Sequence, residues 1–212
     1  MRRIIVLLLI VFGSFPLVFG EEKDNPEFRY GKLHNGLTYY IRHTHNSSGR
    51  ADFYLVQNVG ALMEEENQNG LAHVLEHMAF HATDNFPEGV PVFLKRQSIS
   101  AFNAYTGHDE TVYNINNVPT ASKALVDSCI LILRDWSGFL KLYPKDMDTE
   151  RGVIQEERRS GMDLSARMQA KANFYIYNGS KYATHDVIGT VEVLQNFTPE
   201  ELKNYYHDFY RP

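Results

Sequence analysis

Two kinds of apolar pattern divide the chain. Alternation of apolar and polar residues predicts strands over 51–59 and 111–118. Apolar residues repeated every three or four positions predict helices over 71–81, 92–97, 121–141, 146–170 and 199–209. Strands come early and helices dominate later, without a regular alternation of the two. We therefore predict one α+β domain in which helices pack against an antiparallel or mixed sheet.

A tight turn is predicted near the start of this domain. Asn35-Gly36 lies between apolar flanks, and both residue types tolerate the positive φ that a two-residue hairpin turn requires. The sequence therefore predicts a β-hairpin centred on Asn35-Gly36.

The first twenty residues have the layout of a secretory signal peptide. Two arginines precede an apolar run over 4–12, and a small residue, Gly20, ends the segment. The run is shorter than the ~20 residues of a spanning helix, so we expect no stable membrane span after cleavage, the alternative being an uncleaved anchor. The expected divisions are a signal peptide over 1–20, a leader loop over 21–29 and the folded domain over 30–212. The mature chain is expected in the periplasm or outside the cell.

Composition narrows the functional classes. The 212 residues are 43% hydrophobic and 22% charged, which excludes an intrinsically disordered chain. A formal net charge of −5 gives no electrostatic attraction for nucleic acid, so no nucleic-acid partner is expected. The chain has a single cysteine, Cys129, which excludes an intramolecular disulfide framework. Because Cys129 lies in the apolar helix predicted over 121–141, we expect its thiol to be buried in the core.

The helix predicted over 71–81 carries the candidate chemistry. At 100° per residue, with His73 at zero, His77 falls at about 40° and Glu76 at about 300°, so the three share one face. The apolar residues occupy the opposite face. Two histidines one turn apart are a natural pair of zinc ligands, and a neighbouring glutamate can act as a general base in metal-assisted hydrolysis.

A catalytic zinc site needs a third protein ligand, and the helix predicted over 146–170 offers one. Glu150 and Glu157 share a stripe with Val153 and Ile154 that Leu164 and Met168 continue, and we expect this stripe to be buried. Carboxylates on a buried face need partners. We therefore expect Glu157 to be the third ligand and Glu150 to orient one of the histidines. Glu156 falls toward the edge, where solvation is expected.

These residues resemble a known peptidase family. His73-x-x-Glu76-His77 has the inverted zincin order H-x-x-E-H, and with the segment 150–157 it resembles the pitrilysin/insulysin family, which includes the mitochondrial processing peptidase. The resemblance extends to further segments, which are 33–37, 70–80, 85–87, 103–107, 111–113, 188–190 and 205–212.

The resemblance implies a residue-by-residue assignment. His73, His77 and Glu157 would bind one zinc ion per chain, and Glu76 would take a proton from the attacking water. Glu150 would support a ligand. The substrate would be an unfolded peptide that adds as a strand to the sheet edge at Asn103 and Ala104.

Two functions remain open at this point. The first is a zinc-dependent endopeptidase. The second is a non-catalytic zinc-binding fragment, because the resemblance covers only the N-terminal catalytic half of the family, ends before that half is complete, and lacks the homologous second half or partner subunit that closes the substrate chamber. His81, one turn beyond His77, departs from the family pattern; we expect a surface or packing residue and not a ligand, the alternatives being that it crowds the metal or lies on the rim of the site.

Overall fold

The structure is a computed structural model that describes residues 28–44 and 49–211. The signal peptide predicted over 1–20 and most of the predicted leader loop lie outside the described residues. The end of that predicted loop is not a loop, because a strand begins at Phe28. Within the described ranges, no helix has the length and apolarity needed to cross a membrane.

The described residues before His45 form a unit of their own, a β-hairpin. Strands β1 (Phe28–Lys32) and β2 (Thr38–Arg42) pair in antiparallel register. The Leu33 N–H donates to the Leu37 carbonyl at 2.8 Å, and Gly36 has φ of 100°. The hairpin predicted at Asn35-Gly36 is therefore confirmed, with the positive φ at its glycine.

The second unit is built around a three-stranded antiparallel sheet. Its strands are β3 (Arg50–Gln57), β4 (Phe102–Thr106) and β5 (Thr111–Pro119), in the order β3-β5-β4. Among the described residues, seven α-helices follow or separate the strands: α1 (Leu71–Met78), α2 (Val90–Arg96), α3 (Lys123–Gly138), α4 (Pro144–Gly161), α5 (Leu164–Ile176), α6 (Val191–Asn196) and α7 (Pro199–Phe209). The α+β class and the antiparallel sheet are as predicted.

The core lies between the sheet and the helices. Helix α3 packs on β3 and β5, while α1 packs on β4, α4 and α7. Trp136 of α3 is fully buried, and its indole Nε1 donates to the Ala79 carbonyl at 2.8 Å just after α1. The Tyr113 ring stacks on Trp136 at 5.3 Å between centroids. These contacts fix the end of α1 against the sheet, and α1 carries the candidate site.

Apart from the early start of β1, the element boundaries agree closely with the sequence in most places and differ in three. The helix predicted over 146–170 is two helices, because Asp163 begins α5 as its N-cap and accepts a hydrogen bond from the Ala166 N–H at 2.8 Å. The short strand β4 was not among the strands predicted from alternation, and α6 was not predicted either. Cys129 is buried in α3, as expected.

Candidate metal centre

A buried carboxylate fixes the start of α1. Glu64 accepts hydrogen bonds from the Gly70 N–H and the Ala72 N–H, both at 2.8 Å, so it satisfies two backbone donors that a helix N-terminus leaves open. Burial raises the pKa of Glu64 to about 8, against the lowering effect of these hydrogen bonds and of Lys181. Gly70 itself has φ of 110°, which favours glycine.

Helix α1 separates apolar from polar side chains as the sequence predicts. Its apolar side chains are fully buried in the core, and they are Leu71, Val74, Leu75 and Met78. His73 and Glu76 are buried and His77 is half-buried. The rings of His73 and His77 meet edge to face, with centroids 4.7 Å apart. The two imidazoles are therefore neighbours on one side of a firmly packed helix.

Helix α4 brings a carboxylate to these imidazoles. Oε2 of Glu157 lies 3.4 Å from Nε2 of His77 and 3.8 Å from Nε2 of His73. One ligand atom from each of the three residues lies within 4.8 Å of the others, the one such group found among the described residues. Tetrahedral zinc with bonds near 2.0–2.1 Å needs donor atoms about 3.3 Å apart. Both the donor types and their spacing therefore fit Zn²⁺.

The expected burial of the α4 stripe holds at Glu150 and Ile154 but is wrong at Val153 and Glu157. Glu157 nevertheless lies close to the two histidines. The Glu157 side chain is 49% exposed, and Val153 is 47% exposed. Leu164 and Met168 belong to α5 and are also exposed. Ile154 alone among the apolar members of the stripe in α4 is fully buried. Glu157 thus faces the imidazoles from an open rim.

Glu150 contacts two histidines with two different oxygens. His77 donates from Nδ1 to Oε2 at 2.8 Å, and His81 donates from Nε2 to Oε1 at 2.7 Å. These hydrogen bonds lower the pKa of Glu150 to about 2 and keep it ionised. In the neutral imidazole, an Nδ1 that donates to Glu150 leaves the lone pair on Nε2, which faces Glu157 and is the nitrogen that a metal would bind.

The three histidines have different electrostatic environments. Burial, with the charge of His77 adding, lowers the pKa of His73 to about 4, and its Nδ1 has no hydrogen-bond partner in the described part of the chain. Burial would also lower the pKa of His77, but the hydrogen bond and charge of Glu150, with the charges of Glu76 and Glu157, outweigh it and raise that pKa. Hydrogen bonding to Glu150 raises the pKa of His81. His73 is therefore neutral near pH 7, the form that binds metal.

The remaining α1 carboxylate, Glu76, contacts the sheet. Thr106, the last residue of β4, donates from Oγ1 to Oε2 of Glu76 at 2.5 Å. Burial raises the pKa of Glu76, while the Thr106 hydrogen bond and the charge of His77 oppose that rise. A carboxylate with a raised pKa accepts a proton more readily near neutral pH than an exposed one does.

Asn103 and Ala104 lie in β4, the edge strand of the three-stranded sheet. They pair with Asn114 and Tyr113 of β5. Asn103 is exposed, while Ala104 is buried with its methyl group in the core. Any contact from Ala104 to a bound peptide would therefore come from its backbone, on the edge of β4 that carries no partner strand within the described residues.

Three residues of this site were not identified from the sequence. Thr106 lies two positions after Ala104, so strand alternation places it on the same face, the one signal that could have identified it. His81 was expected on the surface or in packing and instead binds Glu150. Glu64 lies in a polar segment with no periodic pattern, and its capping role arises only from the folded loop.

The chain is similar to known zinc proteases. Residues 40–171 match the family profile described as Insulinase (Peptidase family M16). A protein of Arabidopsis thaliana named Zinc protease PQQL-like is 36% identical over 187 residues, which cover 85% of this chain and 19% of that protein.

Two solved structures extend the similarity to the fold. The periplasmic protease PqqL from Escherichia coli superposes with a TM-score of 0.83 at 31% identity, covering 89% of this chain and 21% of that one. A protease from Helicobacter pylori superposes with a TM-score of 0.78 at 28% identity, covering 87% of this chain and 44% of that one. The chain spans about a fifth to a quarter of the length of the first curated relatives it matches.

Proposed function

Because the chain belongs to the insulinase family, peptidase family M16, we propose that it is the zinc-binding catalytic part of an endopeptidase that hydrolyses unfolded peptides. The observation that carries the proposal is the meeting of His73, His77 and Glu157, whose ligand atoms lie within 4.8 Å of one another. The named zinc proteases among its relatives support the same conclusion.

Each side chain has a proposed role in the hydrolysis. His73, His77 and Glu157 would hold one zinc ion, which when bound supplies Lewis acidity that polarises the peptide carbonyl and acidifies water. Glu76 accepts the proton of the attacking water and then delivers it to the leaving amine nitrogen. Thr106 donates to Oε2 of Glu76, so we assign the proton to the other oxygen, Oε1.

Substrate binding is proposed at the edge of β4. A peptide in extended conformation can pair with the backbone of Asn103 and Ala104 and thereby extend the sheet. Support comes from the exposed edge of β4 and from Thr106, which links the end of that strand to Glu76. A peptide held there would lie beside the proposed base.

A second candidate function follows from the share of its relatives' length that this chain matches. The chain matches about a fifth of PqqL and 40% of the structure titled the first half of that protease. A zinc-binding half that requires a homologous second half to close the substrate chamber is therefore the alternative. Because the E. coli relative is titled a periplasmic protease, we also propose that this chain is exported.

Three glutamate-to-glutamine substitutions test the proposal. Glu76→Gln is expected to retain zinc and to lose at least a hundredfold in cleavage of a quenched peptide, the scale of general-base catalysis. Glu157→Gln is expected to lose zinc, while Glu156→Gln is the matched control, since Glu156 pairs with Arg159 on the exposed face and should change neither property.

The outcomes separate the two candidate functions. Cleavage by this chain alone supports the endopeptidase. Zinc binding without cleavage, with cleavage restored by adding a homologous second half, supports the alternative. Zinc binding that survives both His73→Ala and Glu157→Gln would contradict the proposed ligand set and both functions with it.

A further inference from the structure

His81 lies one helical turn beyond His77, immediately after α1, and is the side chain that shares Glu150 with a proposed ligand. Its Nε2 lies 2.7 Å from Oε1 of Glu150, while Nδ1 of His77 lies 2.8 Å from Oε2. Each carboxylate oxygen therefore has its own imidazole donor. The Glu150 side chain is only 14% exposed and the His81 side chain 26% exposed, so water competes weakly for either oxygen.

We propose that His81 is a positioning residue of the metal centre, which fixes the Glu150 carboxylate so that its Oε2 holds His77 in the orientation that binds zinc. This inference rests on the proposed function. It assigns no contact between His81 and either substrate or metal.

The argument follows from how a carboxylate is held. With one donor, the Glu150 carboxylate could rotate about its terminal bond and still accept a hydrogen bond from His77. The orientation of the His77 ring would then not be fixed. With a second donor on Oε1, both oxygens are fixed and the rotation stops. Loss of a group that orients a ligand in this way typically weakens metal binding by about 10–100-fold.

The surroundings of His81 support this single role. Its other nitrogen, Nδ1, lies 3.7 Å from Oδ1 of Asp146, which is too far for a hydrogen bond but close enough for attraction. Asp146 and Glu150 occupy successive turns of α4, so His81 is held between them. The contact joins the end of α1 to α4 directly behind the proposed ligands.

The test measures zinc affinity by competition with a chromogenic chelator. His81→Leu removes the donor and keeps comparable bulk, and it is expected to weaken zinc binding about tenfold, at the lower end of the range for residues that orient ligands. His81→Gln is expected to recover most of this loss, because its amide nitrogen lies near the position of Nε2 and can donate to Glu150. His207→Leu, on the exposed side of α7, is the matched control and should bind as the wild type does.

A double-mutant cycle separates positioning from general structural damage. If His81 acts only through Glu150, His81→Leu should have no further effect on zinc affinity in a Glu150→Ala background. Additive losses, or an unchanged affinity in His81→Leu, would overturn the inference. Should His81→Leu fail to fold, NMR of the metal-free wild type decides: a downfield His81 Nε2 proton is expected, and a rapidly exchanging one would contradict the proposal.

Failure of this inference is distinguishable from failure of the proposed function. If His73→Ala and Glu157→Gln abolish zinc binding while His81→Leu binds normally, only the role of His81 is wrong. If the wild-type chain binds no zinc, the proposed function itself fails.

Discussion

At the scale of single residues, the pKa values of two buried or half-buried carboxylates shift in opposite directions. Two imidazole donors lower the pKa of Glu150 to about 2. Burial raises the pKa of Glu64 to about 8, although two backbone N–H groups donate to it. The difference lies in which effect is larger, because burial outweighs the hydrogen bonds and the Lys181 charge at Glu64, while the two imidazole hydrogen bonds outweigh burial at Glu150.

Glu64 makes stability depend on pH. Its folded pKa of about 8 lies above the ordinary 4.5, so the folded chain retains a proton that the unfolded chain releases. Its contribution is therefore fully present below pH 4.5 and is lost as pH rises to about 8, with a slope of at most about 1.4 kcal/mol per pH unit. We expect Glu64→Gln, which cannot ionise, to remove this slope.

The measurement is urea unfolding of the metal-free chain between pH 5 and 8. The informative quantity is the difference between wild type and Glu64→Gln, because His73 and other groups titrate equally in both. The variant should be less stable than wild type at pH 5 and the gap should narrow by pH 8. Glu66→Gln, on the exposed surface of the same segment, is the control, and a gap that is constant with pH would contradict the prediction.

At the scale of elements, the position of α1 depends on a close approach of two glycines. A Cβ on Gly70 would lie 2.7 Å from Cα of Gly189, and a Cβ on Gly189 would lie 2.6 Å from Cα of Gly70. Both residues have positive φ. The loop before α6 therefore lies against the start of the helix that carries the candidate ligands.

Gly70→Ala should destabilise the fold. The substitution combines an unfavourable φ with a backbone clash, and we expect a loss of about 3 kcal/mol or more in the free energy of unfolding. Gly152→Ala in α4 is the matched control, because a Cβ there meets nothing within 4 Å. Replacing this helical glycine by alanine should raise the free energy of unfolding by about 0.5–1 kcal/mol. Chemical denaturation of both variants checks the pair; equal effects would contradict the clash.

Element boundaries were predictable where local signals mark them. Helix α7 begins and ends as predicted, because Thr198 and Glu201 form a capping box that the sequence displays. The break between α4 and α5 was missed because Leu164 and Met168 continue the apolar phase of α4 across it. Alternation did not identify β4, whose five residues are too few for a clear pattern, although the family resemblance implied a sheet edge at Asn103 and Ala104.

The site was predictable only as far as one helix determines it. The grouping of His73, Glu76 and His77 follows from helical geometry alone. The meeting with Glu157 required two helices to pack, and the apolar-stripe argument selected this residue although its side chain is half-exposed. Thr106 and Glu64 contact α1 from the folded sheet and loop; strand alternation gives only the face on which Thr106 lies, and no local pattern indicates the role of Glu64.

At the scale of the whole molecule, the candidate ligands come from distant parts of the chain. His77 and Glu157 are 80 residues apart (157 − 77), and α2, the sheet strands β4 and β5, and α3 lie between them. The unfolded chain cannot present these ligands together, so zinc would bind the folded state selectively and stabilise it.

Removing zinc should therefore lower the melting temperature. With free zinc a hundredfold above its dissociation constant, binding adds about 2.7 kcal/mol to the free energy of unfolding. For a chain of this size, that raises the melting temperature by roughly 5–10 °C. Differential scanning calorimetry with and without a chelator measures the shift. Glu76→Gln should retain the shift and His73→Ala should lose it, whereas an unmoved melting curve in the wild type would contradict an integrated zinc site.

Because His77 and Glu157 are far apart along the chain, zinc binding would also measure whether the chain is correctly folded. The three ligand atoms come together only when α1 and α4 are packed in place. A misfolded or partly folded molecule therefore lacks the complete ligand set. The proportion of a preparation that takes up zinc would then count its properly assembled molecules, whether or not they cleave any peptide.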